Sequence, residues 1–308
     1  MQKNKFPWQL IAFLLIGSFA FSQQQKIVTH ENVIYGMVDG AALLMDIYQP
    51  QNSNHIGIII IPGSAYGMVY DDNYDQEQLK NDYFLDTAYM GKWAQKLVQK
   101  GYTVFVINHR FSPAFKYTDI IADCRRAVRF VRYNAEKYDI NPGKIGAFGH
   151  SSGASLSAFL GVSDTTIKNP ESEMDQLSSK VQAVVALAAP FDLSDFNKKE
   201  DTAIRNSFDV KMISGLMGNL PAINNDTFVL SGDFADASPI AHVSKDDAAM
   251  LIYYSDNDPI IPARQARNMY RELMKNNVPA KIFMSHGTGH TPQPDMNEID
   301  LWFQKYLL

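Results

Sequence analysis

The sequence predicts an α/β fold: one mostly parallel, doubly wound sheet of eight strands with helices on both faces. Three observations carry this. Short apolar segments alternate with amphipathic ones along most of the chain, the pattern of repeated strand–helix units. One of them, Ile56–Ile61, is isoleucine throughout apart from Gly57, which reads as a strand buried on both faces. The two segments before it are joined through Asp39-Gly40, a pair suited to a tight hairpin, so the sheet opens antiparallel.

The elements follow in order. Val33–Val38 and Ala42–Tyr48 form the hairpin, and Ile56–Ile61 is the third strand. Lys92–Lys100 has helical periodicity and stops at Gly101, a residue that helix C-termini favour. Tyr102–Asn108 is a strand. Thr118–Tyr138 is a long amphipathic helix with Ile120, Ile121, Cys124, Ala127, Val128 and Val131 on one face. Strand Lys144–Gly149 runs into a small-residue helix through Ala154, Leu156 and Phe159. Strands Val181–Ala188 and Ala248–Tyr254, helix Ala263–Lys275, strand Ala280–Ser285 and a helix from Met296 complete the pattern. Right-handed crossovers place helices on both faces and chemistry-bearing loops at the strands' carboxyl ends.

Residues 23–308 read as a single domain with irregular insertions near 67–90 and 194–236, the kind of segment that forms lids or binding loops. Residues 1–22 read as a cleavable secretory signal. Lys3 and Lys5 precede the apolar run Leu10–Ala20, and Ala20-Phe21-Ser22 offers small residues for cutting after Ser22. The run is shorter than the roughly 18–20 residues that span a bilayer. A secreted or periplasmic protein is expected, with no membrane attachment after cleavage. Net charge is -5 with no basic block to neutralise a phosphate backbone, which argues against a nucleic-acid partner. The lone cysteine, Cys124, allows no intramolecular disulfide and reads as a small buried hydrophobe.

Chemistry concentrates at Gly149-His150-Ser151-Ser152-Gly153, a G-x-S-x-G match at a strand-to-helix junction. Such a turn must be tight. Its central residue takes strained backbone angles that expose the hydroxyl, and the flanking glycines let strand and helix approach. The helix that follows aims its positive end at Ser151, favouring an oxyanion there. A serine hydroxyl needs a base, and the base needs an orienting acid; where this fold carries such a set, the chain order is Ser, Asp or Glu, then His. Leu251–Tyr254 leads directly to Asp256 and Asp258, both in reach. Pro259 and Pro262 stiffen the loop around Asp258, whereas Asp256 also suits a plain turn. Of the histidines beyond these acids, His290 on the loop is favoured over His286 at the strand end. His150 suits a pocket wall better than a base.

The matching segments resemble the small α/β-hydrolase esterases related to hormone-sensitive lipase and to feruloyl and acetylxylan esterases. They span nearly all of 23–308: Leu44–Pro50, Asn108–Pro113, Ile140–Ile145, the serine turn, Ala237–Ile240 and Asp258–Pro262. The resemblance implies an α/β-hydrolase fold, with the acid at Asp258, the base at His290 and no metal or organic cofactor. It departs at the oxyanion loop, where His-Gly-Gly-Gly is replaced by Pro62-Gly63-Ser64-Ala65-Tyr66. Ser64, Ala65 and Ser152 are the expected oxyanion donors, and Tyr66 and His150 the expected pocket residues. The substrate expected is a small-molecule or polysaccharide ester, acetylated or feruloylated. A prolyl-oligopeptidase-type peptidase and a non-catalytic binding scaffold are the rival readings.

Overall fold

The computed structural model describes residues 27–67, 90–197, 213, 215–218 and 234–308. The expected signal segment 1–22 and most of the insertions at 67–90 and 194–236 lie outside the described residues. Eight strands form one sheet: β1 Val28–Val38, β2 Ala41–Gln49, β3 Gly57–Ile61, β4 Thr103–Ile107, β5 Ile145–His150, β6 Ala183–Leu187, β7 Ala249–Ser255 and β8 Ala280–Ser285. Their order is β1-β2-β4-β3-β5-β6-β7-β8. β2 runs antiparallel to β1 and β4, and all other pairs are parallel. The helices are α1 Met90–Gln99, α2 Tyr117–Tyr133, α3 Ser152–Val162, α4 Ala263–Lys275 and α5 Met296–Leu307.

The isoleucine run shows why the sheet is covered on both sides. Ile59 and Ile61 pack into one apolar core with α2, α3 and α4. Ile56, Ile58 and Ile60 point into a second core with α1 and α5. All five are fully buried, and each contributes roughly 1.5–3 kcal/mol relative to an exposed side chain. Gly57 interrupts the run because a Cβ there would lie 2.9 Å from Ile140 Cδ1. At the hairpin, Asp39 (φ 49°) and Gly40 (φ 78°) both take positive φ, the requirement of a type I′ turn. Gly101 (φ 93°) closes α1, its amide donating to the Val98 carbonyl.

Two boundaries differ from expectation by five residues, the others by two at most. β1 starts at Val28, five residues early, because register shifts at His30/Val33 and Ile34/Gly36 scramble the period-2 pattern that would have revealed it. Asn32 stands at φ 55° within this irregularity, its amide held by Asp46 Oδ1 at 2.7 Å. α2 stops at Tyr133 where a helix to Tyr138 was expected. Asn134 caps it, donating Nδ2–H to the Phe130 carbonyl, and turns carry the chain to Asp139 (φ 52°). Tyr138 and Ile140 stay buried, so the apolar pattern continues where the helix does not. Cys124 lies fully buried on α2, and burial, reinforced by the Asp123 charge, pushes its thiol well up from the ordinary value.

Candidate active site

Four neighbouring strands set the frame. β5, β6, β7 and β8 are parallel, so their carboxyl ends share one edge of the sheet. Ser151 leaves β5 there at φ 53°, ψ −125°, a strained conformation for a residue with a Cβ. Its amide donates to the Leu187 carbonyl at 2.8 Å, and its own carbonyl accepts from Ala154 and Ser155. The two glycines are sterically compulsory. A Cβ on Gly153 would sit 2.0 Å from the Ile61 carbonyl oxygen, and one on Gly149 would sit 2.3 Å from that of Gly153. Strand and helix therefore approach as closely as backbone allows.

The loops after β7 and β8 leave side by side, Ser255 pairing with Ser285. Asp258 and His290 stand on them. His290 Nδ1 lies 2.8 Å from Asp258 Oδ2, and His290 Nε2 lies 2.9 Å from Ser151 Oγ. The Asp258 side chain is 2% exposed. Its other oxygen accepts from the amides of Ile260 and Ile261, leaving Oδ2 to take the Nδ1–H of His290. With the proton on Nδ1, Nε2 is the acceptor that faces the serine hydroxyl. The arrangement can draw a proton from Ser151 and return it to a leaving group.

His286 and Asp256, the other candidates, form a separate pair at 2.8 Å on the exposed side of the same loops. Asp256 also accepts the Gly287 amide, and Asn257 accepts that of Gly289. The Gly287 amide, then His286, holds the Asp256 carboxyl below its usual range. This second pair ties the loop bearing His290 to the loop bearing Asp258.

His150 has a role that the residue pattern did not signal. Its Nε2–H donates to the main-chain carbonyl of His290 at 2.8 Å, and the two rings lie 4.9 Å apart. Burial, with the His290 charge adding, lowers its pKa to about 4, so at neutral pH it is uncharged. Tyr66 is 3% and His150 7% exposed. Little of either side chain, both expected at the substrate pocket, reaches the surface, and His150 packs against the ring of His290. Tyr66 belongs to the apolar core, its phenol pushed up to about 12 by burial against the opposing pull of the Ser155 hydroxyl.

Of the expected oxyanion donors, Ser64 already has a partner for its main-chain amide, which donates to Ser152 Oγ at 3.0 Å. The amides of Ala65 and Ser152 have no hydrogen-bond partner among the described residues. Gly63 packs against the nucleophile turn, where a Cβ would lie 3.0 Å from that of Ser151. The positive φ that the missing glycines would have supplied falls on Ala65 (φ 48°) and Tyr66 (φ 59°). The Tyr66 carbonyl, accepting from the Ser112 amide, and the Ser64 oxygens, accepting from Gly67, pin this loop.

The sequence profile of the BD-FAE family matches residues 45–273. The chain belongs to the BD-FAE family. This BD-FAE chain is 26% identical over 179 residues to the probable carboxylic ester hydrolase LipM of Mycobacterium tuberculosis, covering 58% of this chain and 38% of that protein. It is 25% identical over 146 residues to the acetylxylan esterase of Xylanibacter ruminicola, covering 47% of this chain and 27% of that protein. Among solved structures, a truncated form of a carbohydrate esterase from gut microbiota matches with a TM-score of 0.69 at 27% identity, covering 91% of this chain and 96% of that one. The chain spans 38% and 27% of the length of these two curated relatives. The α/β-hydrolase fold and the esterase-family resemblance read from the motifs are borne out.

Proposed function

We propose that the protein is a serine carboxylic-ester hydrolase working through an acyl-enzyme. The observation that carries this is the continuous path from Asp258 through His290 to Ser151, at 2.8 and 2.9 Å. Ser151 Oγ attacks the ester carbonyl carbon as its proton passes to His290 Nε2. The oxyanion forms beside the Ala65 and Ser152 amides, the latter at the positive end of α3. His290 then gives the proton to the departing alcohol, leaving acyl-Ser151. Water repeats the sequence, its proton going to His290 and its hydroxide to the acyl carbon; the bond to Oγ then breaks, His290 returns the proton to Ser151 Oγ, and the acid leaves. No step calls for a metal or organic cofactor.

For the substrate we propose an acetylated or feruloylated polysaccharide, supported by the names of the acetylxylan and carbohydrate esterase relatives. The compartment proposed is outside the cytoplasm, in keeping with the leader expected at 1–22. A panel of acetylated xylan, a feruloyl ester, nitrophenyl esters of rising chain length and a prolyl peptide anilide tests the reading. Acetate release from xylan with no anilide cleavage is expected. Anilide cleavage without ester hydrolysis would move the protein to the peptidase class.

His150 is expected to act as a positioning residue, holding the main chain of His290. Replacing it by Phe keeps bulk but removes the Nε2–H donor. We expect turnover to fall on the order of 10- to 100-fold with KM little changed, since small misplacements of a catalytic group cost this much. His150→Gln carries an amide N–H to a similar place and is expected to recover most of the loss. Equal turnover in the Phe and wild-type proteins would show that the contact does nothing for the reaction.

A further inference from the structure

A cavity of about 250 Å³ opens between the end of β1, α2 and the segment 165–175, and it shares no residue with the Ser151 site. Four arginines (Arg110, Arg125, Arg126 and Arg129) and two aspartates (Asp123 and Asp175) line it, an excess of two positive charges. Arg110 is already neutralised, pairing with Asp123 at 2.9 Å and Asp39 at 2.5 Å. That leaves three arginines facing Asp175, which lies 3.7 Å from Arg126 Nη1, and the Asp164 carboxylate, whose charge acts on Arg125 and Arg129. Asp164 makes no hydrogen bond or ion pair to them and acts only through its charge. Its two oxygens are filled by Ser178, Ser179 and Thr165.

The three arginines crowd one helix. At their spacing on α2, Arg125 and Arg126 are both neighbours of Arg129, so the charges repel. Arg125 Nη2 donates to Ser163 Oγ, Arg126 Nε to the Tyr35 carbonyl, and Arg129 Nε and Nη2 to the Leu177 and Thr165 carbonyls. Such neutral acceptors use N–H groups without offsetting charge. Arg125 Nε is buried with no hydrogen-bond partner, a costly state for a charged donor. Burial pushes the Arg125 guanidinium below its ordinary value, with the Arg129 charge adding to it. Burial lowers Arg129 as well, Arg126 acting in the same direction against Asp164 and Asp175.

What relieves this is a compact anion with paired oxygens, the shape that guanidinium forks recognise. We propose that the cavity binds a small oxyanion, of phosphate or carboxylate chemistry, between Arg125, Arg126 and Arg129. The space suits one such group with a small organic body. The site is independent of ester hydrolysis and needs no catalytic residue.

Calorimetric titration with inorganic phosphate, sulfate and glucuronate at matched ionic strength, alongside thermal unfolding, tests it. One anion per chain and a Tm rise of roughly 3–6 °C near saturation are expected. Whichever of phosphate and glucuronate binds more tightly shows whether the source is a phosphorylated or a carboxylated molecule. The Arg126 side chain is 37% exposed, so Arg126→Gln should fold normally and weaken binding by about tenfold or more. Arg125→Gln is expected to do the same. No binding of any of the three anions beyond a sodium chloride control overturns the proposal, as does undiminished binding in both variants.

Discussion

Ser151→Ala is expected to lower ester turnover by roughly 10⁴–10⁶-fold, the scale of losing a serine nucleophile, without loss of fold. The main chain at this position is held by bonds that the substitution leaves alone: its amide to Leu187, and its carbonyl from Ala154 and Ser155. Alanine meets the positive φ of 53° with the same Cβ strain that serine already carries. What disappears is Oγ, the one atom that His290 Nε2 faces at 2.9 Å. Turnover of a short-chain nitrophenyl ester, with circular dichroism and Tm as the control, measures this. Substantial activity in a folded Ser151→Ala protein would remove the nucleophile from the proposal.

The second large effect is at Asp258. Asp258→Asn keeps shape and volume in a pocket where the side chain is 2% exposed. An asparagine oxygen can still accept the Ile260 and Ile261 amides, which directs its NH2 at His290 Nδ1. A donor there forces the imidazole proton onto Nε2, so the ring meets Ser151 with a donor where it needs an acceptor. A loss of about 10⁴-fold in turnover is expected from the wrong tautomer. Asp256→Asn is the matched control. Its partner His286 is 75% exposed and does not touch Ser151, so a loss below about tenfold is expected. Comparable losses at both aspartates would show that loop integrity, not the tautomer of His290, governs the rate.

Much of this was legible in the residues, for physical reasons that differ by feature. The isoleucine run and the helical stripes gave the sheet and its two cores because burial on two faces leaves no polar alternation to misread. Asp39-Gly40 and Gly101 gave turns because their backbone angles exclude most residues. The candidate serine stood out because Gly149 and Gly153 have no room for a Cβ. Both Asp256 and Asp258 follow the same strand; the prolines that stiffen the loop favoured Asp258, the family resemblance agreed, and only in three dimensions does its contact with His290 appear.

Other features left no local trace. The bond from His150 to the His290 carbonyl joins positions 140 apart. The capture of the Ser64 amide by Ser152 joins positions 88 apart, and it shifts the candidate oxyanion donors to Ala65 and Ser152. β1 was read short because its bulges break the two-residue period, and α2 was read long because Tyr138 stays buried beyond the helix end.

The central claim is that Ser151 is an activated nucleophile, and covalent labelling tests it most directly. An alkyl fluorophosphonate reacts with a serine only where a base removes its proton and an oxyanion site stabilises the phosphoryl oxygen. Intact-mass and peptide mapping of the treated protein should show one adduct per chain, on the peptide carrying Ser151, and none in Ser151→Ala. An unlabelled wild-type protein, or an adduct that persists when Ser151 is alanine, would contradict the account.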